Sequence, residues 1–167
     1  MALVTPGLYS GTSFAVIDGK GRIAVPAALR NNVPEAAVGE RNERVLWVGF
    51  HDQLPCLVAF GQDQYDRLIG EMDTQRLEAR DLRVEFKEDA EYKKRFSWTD
   101  HYILDGSGRF SPSATHKRRS GPSGPIAFVG AGKRFEIWSL AKLVACEQAD
   151  ADLREMAAEI LAESGGR

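Results

Sequence analysis

Apolar positions along the chain fall into short blocks, most of them of strand length, separated by polar and glycine-rich turns. Ser13-Phe14-Ala15-Val16-Ile17 predicts a strand, and Ile23-Ala24-Val25 its return, with Ile23 and Val25 on one face by the period of two. Pro26 stops that return and suits the first turn of a short helix over Ala27 to Arg30. After a polar loop, Arg44 to Phe50 reads as a buried strand and Leu57 to Phe60 as the next. The period then changes. Tyr65, Leu68, Ile69 and Met72 fall at i, i+3, i+4 and i+7, which predicts an amphipathic helix over Gln62 to Met72.

Asp89 to Phe96 predicts a further charged helix, after which the order of elements repeats. Thr99 to Leu104 is a strand and Phe110-Ser111 a short return. Ile126 to Gly130 corresponds to Leu46 to Gly49, and Phe135-Glu136-Ile137-Trp138-Ser139 to Leu57 to Gly61. Leu140, Leu143 and Val144, then Leu153, Met156, Ala157, Ile160 and Leu161, form the apolar stripe of a C-terminal helix. The turns repeat most closely: Asp18-Gly19-Lys20-Gly21-Arg22 returns as Asp105-Gly106-Ser107-Gly108-Arg109. An Asp-Gly turn is the ordinary choice for a tight hairpin. Its recurrence, with arginine at the same offset, predicts an internal duplication. The expected units are a first half over residues 8–85, a second over 86–145, and a helical tail over 146–167. Ser120 to Pro125 is expected to be a flexible loop and, with the basic run before it, a mobile arm. The last three residues, from Gly165, are expected to fray.

The chain has 167 residues, 43% hydrophobic and 28% charged, enough for one domain or two small packed halves. No apolar run approaches the roughly 18 residues of a membrane span, and Met1 to Gly7 lacks the features of a secretory signal. Cys56 and Cys146 make no disulfide framework, so a reduced cytoplasmic setting is expected. The net charge of −2 argues against a simple basic coat for nucleic acid. Its distribution argues otherwise. Lys20, Arg22 and Arg30 surround the first turn and Lys117-Arg118-Arg119 follows the second, while acids gather over 85–91 and in the tail.

Arginine on a rigid hairpin tip can pair with phosphate or grip a guanine edge through its planar fork, and a two-stranded ribbon fits the major groove. Asp18 and Asp105 are expected to fix the turns through backbone hydrogen bonds, or to brace the arginines. The competing reading makes Arg22 and Arg109 structural braces between the halves. The DNA reading requires their guanidinium groups to stand free of neighbouring carboxylates. Lys117, Arg118 and Arg119 would add phosphate contacts. His51, His101 and His116 lack metal-ligand spacing, and Gly19-Lys20-Gly21 is no phosphate loop of the Walker type. No metal, cofactor or catalytic set is expected, and the chain reads as a non-enzyme.

With these turns, the Pro26-Ala-Ala-Leu-Arg30 helix start and the Phe135 to Ser139 phrase, the chain resembles the MraZ family of AbrB-like regulators over most of Ser10 to Leu143. The resemblance implies a mainly β, α+β fold: a double-split β-barrel from two pseudo-symmetric halves, with short helices and a C-terminal helix. It also implies ring-like homo-oligomers that bind double-stranded DNA in their own promoter region. Such regulators, usually repressors, act on the division and cell-wall gene cluster and are nucleoid-associated. The family's DNA-contacting arginine carries onto Arg22 and, by the repeat, Arg109, with Lys20 at the basic position of the first copy. The second copy departs from the pattern: Pro112 arrives one residue early and Ser107 replaces Lys20, so a shorter return strand and a poorly defined following helix are expected. The alternatives are a ring-forming protein scaffold and an antitoxin-like subunit without specific DNA binding.

Overall fold

The computed structural model describes residues 4–121 and 124–165. The elements run β1 (Thr12–Val16), β2 (Ile23–Ala24), α1 (Ala27–Arg30), β3 (Glu35–Val38), β4 (Arg41–Phe50), β5 (Leu57–Gly61), α2 (Gln62–Asp81) and α3 (Glu88–Phe96). They continue with β6 (Asp100–Ile103), β7 (Arg109–Phe110), α4 (Ala114–Ser120), β8 (Pro125–Gly130), β9 (Phe135–Ser139) and α5 (Leu140–Ala145), the elements of the second repeat, and end with α6 (Ala151–Gly165). The architecture is mixed α+β with two sheets. One has seven strands along the path β1-β8-β9-β5-β4-β3, with β6 added to β4, and the other is the two-stranded ribbon β2-β7.

The repeats are interlaced. β1 does not pair with its own hairpin β4-β5 but with β8 of the second repeat, and β6 returns the exchange by pairing with β4. The registers match: Val16 faces Pro125 as Ile103 faces Val45, and Ala15 faces Ile126 as Tyr102 faces Leu46. Two further pairings cross the repeat boundary, Ile23 with Phe110 and Val58 with Glu136. A pseudo-two-fold axis therefore runs through both. One continuous core follows, with Ile23, Leu46, Val48 and Leu57 from the first repeat packed on Phe110, Ile126, Phe128 and Ile137 from the second. Each such side chain, taken fully from water, contributes about 1.5–3 kcal/mol, so the seam between repeats is core and not a surface contact.

Several expectations change. The resemblance implied a double-split barrel, but among the described residues the strand path is open and no closed barrel forms. The physical reason lies in β2 and β7, two residues each, which pair with one another and not with the large sheet. The second return strand is thus no shorter than the first. Residues 35–43, expected as a polar loop ahead of the strand from Arg44, form the β3–β4 hairpin with it, turned at Gly39 with φ +62°. The helix from Gln62 continues to Asp81, and the C-terminal stripe is divided between α5 and α6. Lys117-Arg118-Arg119 is helical, in α4, and so is not part of a loop. Of the expected arm, residues 122–123 lie outside the described residues, as do 166–167 of the expected fray.

The helix α6 lays Ala157, with Leu153, Ile160 and Leu161, against Ala127, Trp138, Leu140 and Leu143. Cys56 and Cys146 are buried in this second cluster as free thiols, and burial pushes the Cys56 thiol well above its ordinary range. No described helix is long and apolar enough to cross a membrane.

Candidate nucleic-acid interface

The two Asp-x-x-x-Arg turns have the same construction. Asp18 Oδ1 accepts from the backbone N–H of Lys20 and of Arg22, both at 2.9 Å, and Oδ2 accepts from Arg22 Nε at 2.7 Å. Asp105 does the same with Ser107 N–H, Arg109 N–H and Arg109 Nε, each at 2.9 Å. Backbone bonds close both loops: Gly21 N–H to Asp18 O and Gly108 N–H to Asp105 O, each 2.9 Å. The backbone N–H of Arg22, followed by its side chain and the Lys20 N–H, holds the Asp18 carboxyl below the usual aspartate range, and the corresponding groups do so for Asp105. Both carboxylates are ionised at neutral pH.

The guanidinium groups are consequently not unclaimed, and that expectation is corrected. A carboxylate four residues earlier can close on Nε while the same oxygens cap the loop. The arginines are nevertheless not swallowed: 28% of the Arg22 side chain and 36% of the Arg109 side chain remain exposed. Among the described residues their Nη groups have no hydrogen-bond partner, so each ion pair orients an arginine fork and leaves its outer edge available.

The ribbon β2-β7 places the two turns on either side of the pseudo-two-fold axis. Side chains alternate across a strand. Ile23 and Phe110 are buried, and Ala24 and Ser111 are exposed. Arg22 and Arg109 therefore share the outward face with two small residues between them, their backbones about 7–8 Å apart on the diagonal of the pairing. Val25 N–H donates to Gly108 O at 2.9 Å, whereas the matching place in the second repeat is Pro112, which has no N–H to give. That missing bond is the physical content of the early proline.

Each repeat also sends a cation across the axis. Arg30, at the end of α1, donates Nη1–H to Ser107 O at 2.8 Å and lies over Gly108 of the opposite turn. Lys117 of α4 occupies the matching place, and a methyl group built on Gly21 would stand 2.8 Å from its Nζ. Gly21 and Gly108 have φ of +75° and +73°, so the turns need glycine for conformation and the crossing cations need it for space. Arg30 was the functional candidate that motif reading passed over. Its signal was present in the sequence, because Arg30 and Lys117 stand at the same place in the two repeats.

Among the sequence candidates, Lys20, Arg22, Arg109 and Lys117 gather at the ribbon and its turns. The basic run is divided: Lys117 points to the first turn, while the Arg119 guanidinium lies 5.5 Å from the Phe50 ring centroid. Arg118 is exposed between them. His116 is fully buried where the first repeat has Leu29. It bonds Tyr102 Oη at 2.9 Å and the Trp98 carbonyl at 2.8 Å, so it serves packing. Among the described residues no three His, Cys, Asp or Glu side chains gather as a metal site.

No family model matches the chain. It is similar to curated proteins named transcriptional regulator MraZ. That of Stenotrophomonas maltophilia is 27% identical over 132 residues, 79% of this chain and 82% of that protein. That of Kineococcus radiotolerans is 28% identical over 153 residues, 89% and 95% of the two. That of Gluconacetobacter diazotrophicus is 28% identical over 163 residues, 96% and 94%. The duplicated turn, the interlaced repeats and this similarity agree: the chain is a distant homologue of the MraZ regulators.

Proposed function

We propose that the chain is a sequence-specific DNA-binding transcriptional regulator, a repressor of the division and cell-wall gene cluster. In this reading it binds promoter repeats in double-stranded DNA as a ring-like homo-oligomer, its interlaced repeats being a form of the double-split barrel. The observation that carries the reading is the outward face of the β2-β7 ribbon, where Arg22 and Arg109 flank a pseudo-two-fold axis. A ribbon of this kind fits the major groove, and two-fold symmetry in a protein is mirrored by pseudo-palindromy in its site. Lys20, Lys117 and Arg118 are assigned to phosphate contacts beside the ribbon, whereas Arg119 lies over Phe50. Local positive charge outweighs the overall net charge of −2 because exposed charges are screened within about 10 Å.

Fluorescence anisotropy with the DNA upstream of the chain's own gene tests the proposal. Three phosphate contacts from one protomer would weaken binding about 40-fold between roughly 50 and 200 mM salt. Indifference to this DNA at low salt would reject it. The Nε–carboxylate pairs favour a second reading, in which the arginines only brace the turns. Asp18→Ala separates the two. Bracing alone predicts a loss of stability with no effect on DNA affinity per folded molecule. The recognition role predicts weaker binding by the folded protein, because the fork loses its orientation.

A further inference from the structure

The pseudo-two-fold axis relates two places that have been filled differently. In the first, Gly130 and Gly11 meet, Gly130 N–H donating to Gly11 O at 2.8 Å, and a side chain on Gly130 would stand 2.5 Å from Ser10 Cα. Asn32 ties the same segment down, accepting from Thr5 N–H and donating to Leu8 O, both at 3.0 Å. In the second place the matching residues are Phe50, Trp98 and Arg119, and no described segment of chain fills it. Two adjoining cavities of about 270 and 190 Å³ lie there instead, sharing Phe50, His51, Asp52 and Arg119. Together they approach the size of an ordinary small-molecule site.

The walls have a definite chemistry. Phe50 and Trp98 are stacked, with centroids 5.8 Å apart and planes 27° apart, and Trp98 is 54% exposed. An indole so exposed offers a flat π surface to a second ring. Arg119 lies over Phe50, and Lys94 and Arg95 from α3 complete the rim. None of these three cations is in an ion pair among the described residues. Asp52 stands on the same wall, where a carboxylate can accept from sugar hydroxyls or a base amino group, and the balance of charge stays positive. On the same wall, His51 Nδ1 accepts from the N–H groups of Gln53 and Leu54, and its Nε2 lies 3.6 Å from Glu136 Oε2 and 3.3 Å from Arg134 Nη2, one charge of each sign.

The geometry points to this cleft as a binding site for a free nucleotide, its base stacked on Trp98 and its phosphates held by Arg119, Lys94 and Arg95. An aromatic platform flanked by cations selects ligands that carry both a flat ring and negative charge. Neither half of the ligand suffices.

Calorimetry with the whole chain and no DNA tests this, using ATP, adenosine and tripolyphosphate as probes. ATP is expected to bind saturably, with adenosine and tripolyphosphate each at least tenfold weaker. Trp98→Ala and Arg119→Ala are each expected to weaken ATP about tenfold, the scale of one stacked base or one charged contact. Circular dichroism of both variants checks that they fold, and Lys94→Ala with Arg95→Ala provides a variant on a separate helix. Absence of saturable ATP binding overturns the assignment. So does tripolyphosphate binding as tightly as ATP, or ATP affinity unchanged in Trp98→Ala.

Discussion

At Gly108 the backbone sits at φ +73°, and a side chain would meet both Arg30 and the Val25 carbonyl oxygen, the latter at 3.2 Å. Gly19 has neither restriction, with nothing within 4 Å of an added methyl group. Gly108→Ala should therefore cost about 1–2 kcal/mol for the left-handed conformation alone, and more for displacing Arg30, while Gly19→Ala should be near neutral. Urea unfolding of the two variants checks this, and equal costs would contradict the account. The carboxylates give a second residue-scale test. Asp18 and Asp105 are held below the ordinary aspartate value of about 3.9. The stability they contribute is present above that ordinary value and lost as pH falls through the lowered one. Because the Arg22 N–H is the leading cause, Asp18 in Arg22→Ala should still titrate low by NMR; a return to the ordinary value would transfer the effect to the guanidinium. These turns were legible in sequence, since Asp, Gly and Arg each have a local reason for their place. The pairing of each guanidinium with its aspartate was left open by sequence, because exposed and braced arginine are written alike.

The helix α4 shows where a motif comparison misleads at the scale of elements. The early Pro112 suggested a poorly defined successor to α1. Yet Ser113 Oγ accepts from His116 N–H at 3.3 Å as an N-cap, and His116 and Tyr102 fill the place that Leu29 fills in the first repeat. A polar side chain can replace a leucine in a core when every donor and acceptor is met, and only the three-dimensional partners reveal that. Ser113→Ala should cost about 0.5–2 kcal/mol by thermal unfolding. No change would mean that the cap is not used. Other elements were hidden for simpler reasons. β3, Glu-Ala-Ala-Val, is an edge strand with mostly exposed residues, so no alternation marks it. The end of α2 past Met72 is exposed on most sides, and its apolar periodicity stops where its burial stops. The strands β4, β5, β8 and β9 were readable because burial left dense apolar runs in them.

On the scale of the molecule, duplication was visible in sequence but the exchange of β1 and β6 between repeats was not, since register between distant strands leaves little trace in local pattern. The exchange has a consequence. A fragment ending at residue 85 would lack β8 and β6, the pairing partners of β1 and β4, and should not fold as a monomer; a cooperative unfolding transition from such a monomer would contradict the interlaced core. The same exchange fixes Arg22 and Arg109 on one outward face, and Arg30 and Lys117 across the axis between them. The direct test is the affinity of Arg22→Ala and Arg109→Ala for DNA upstream of the gene, measured by anisotropy beside circular dichroism and size-exclusion profiles. The account predicts native spectra and unchanged assembly, with affinity reduced about 5- to 150-fold by each substitution, the range for loss of one specific arginine contact. Wild-type affinity in both folded variants would contradict it.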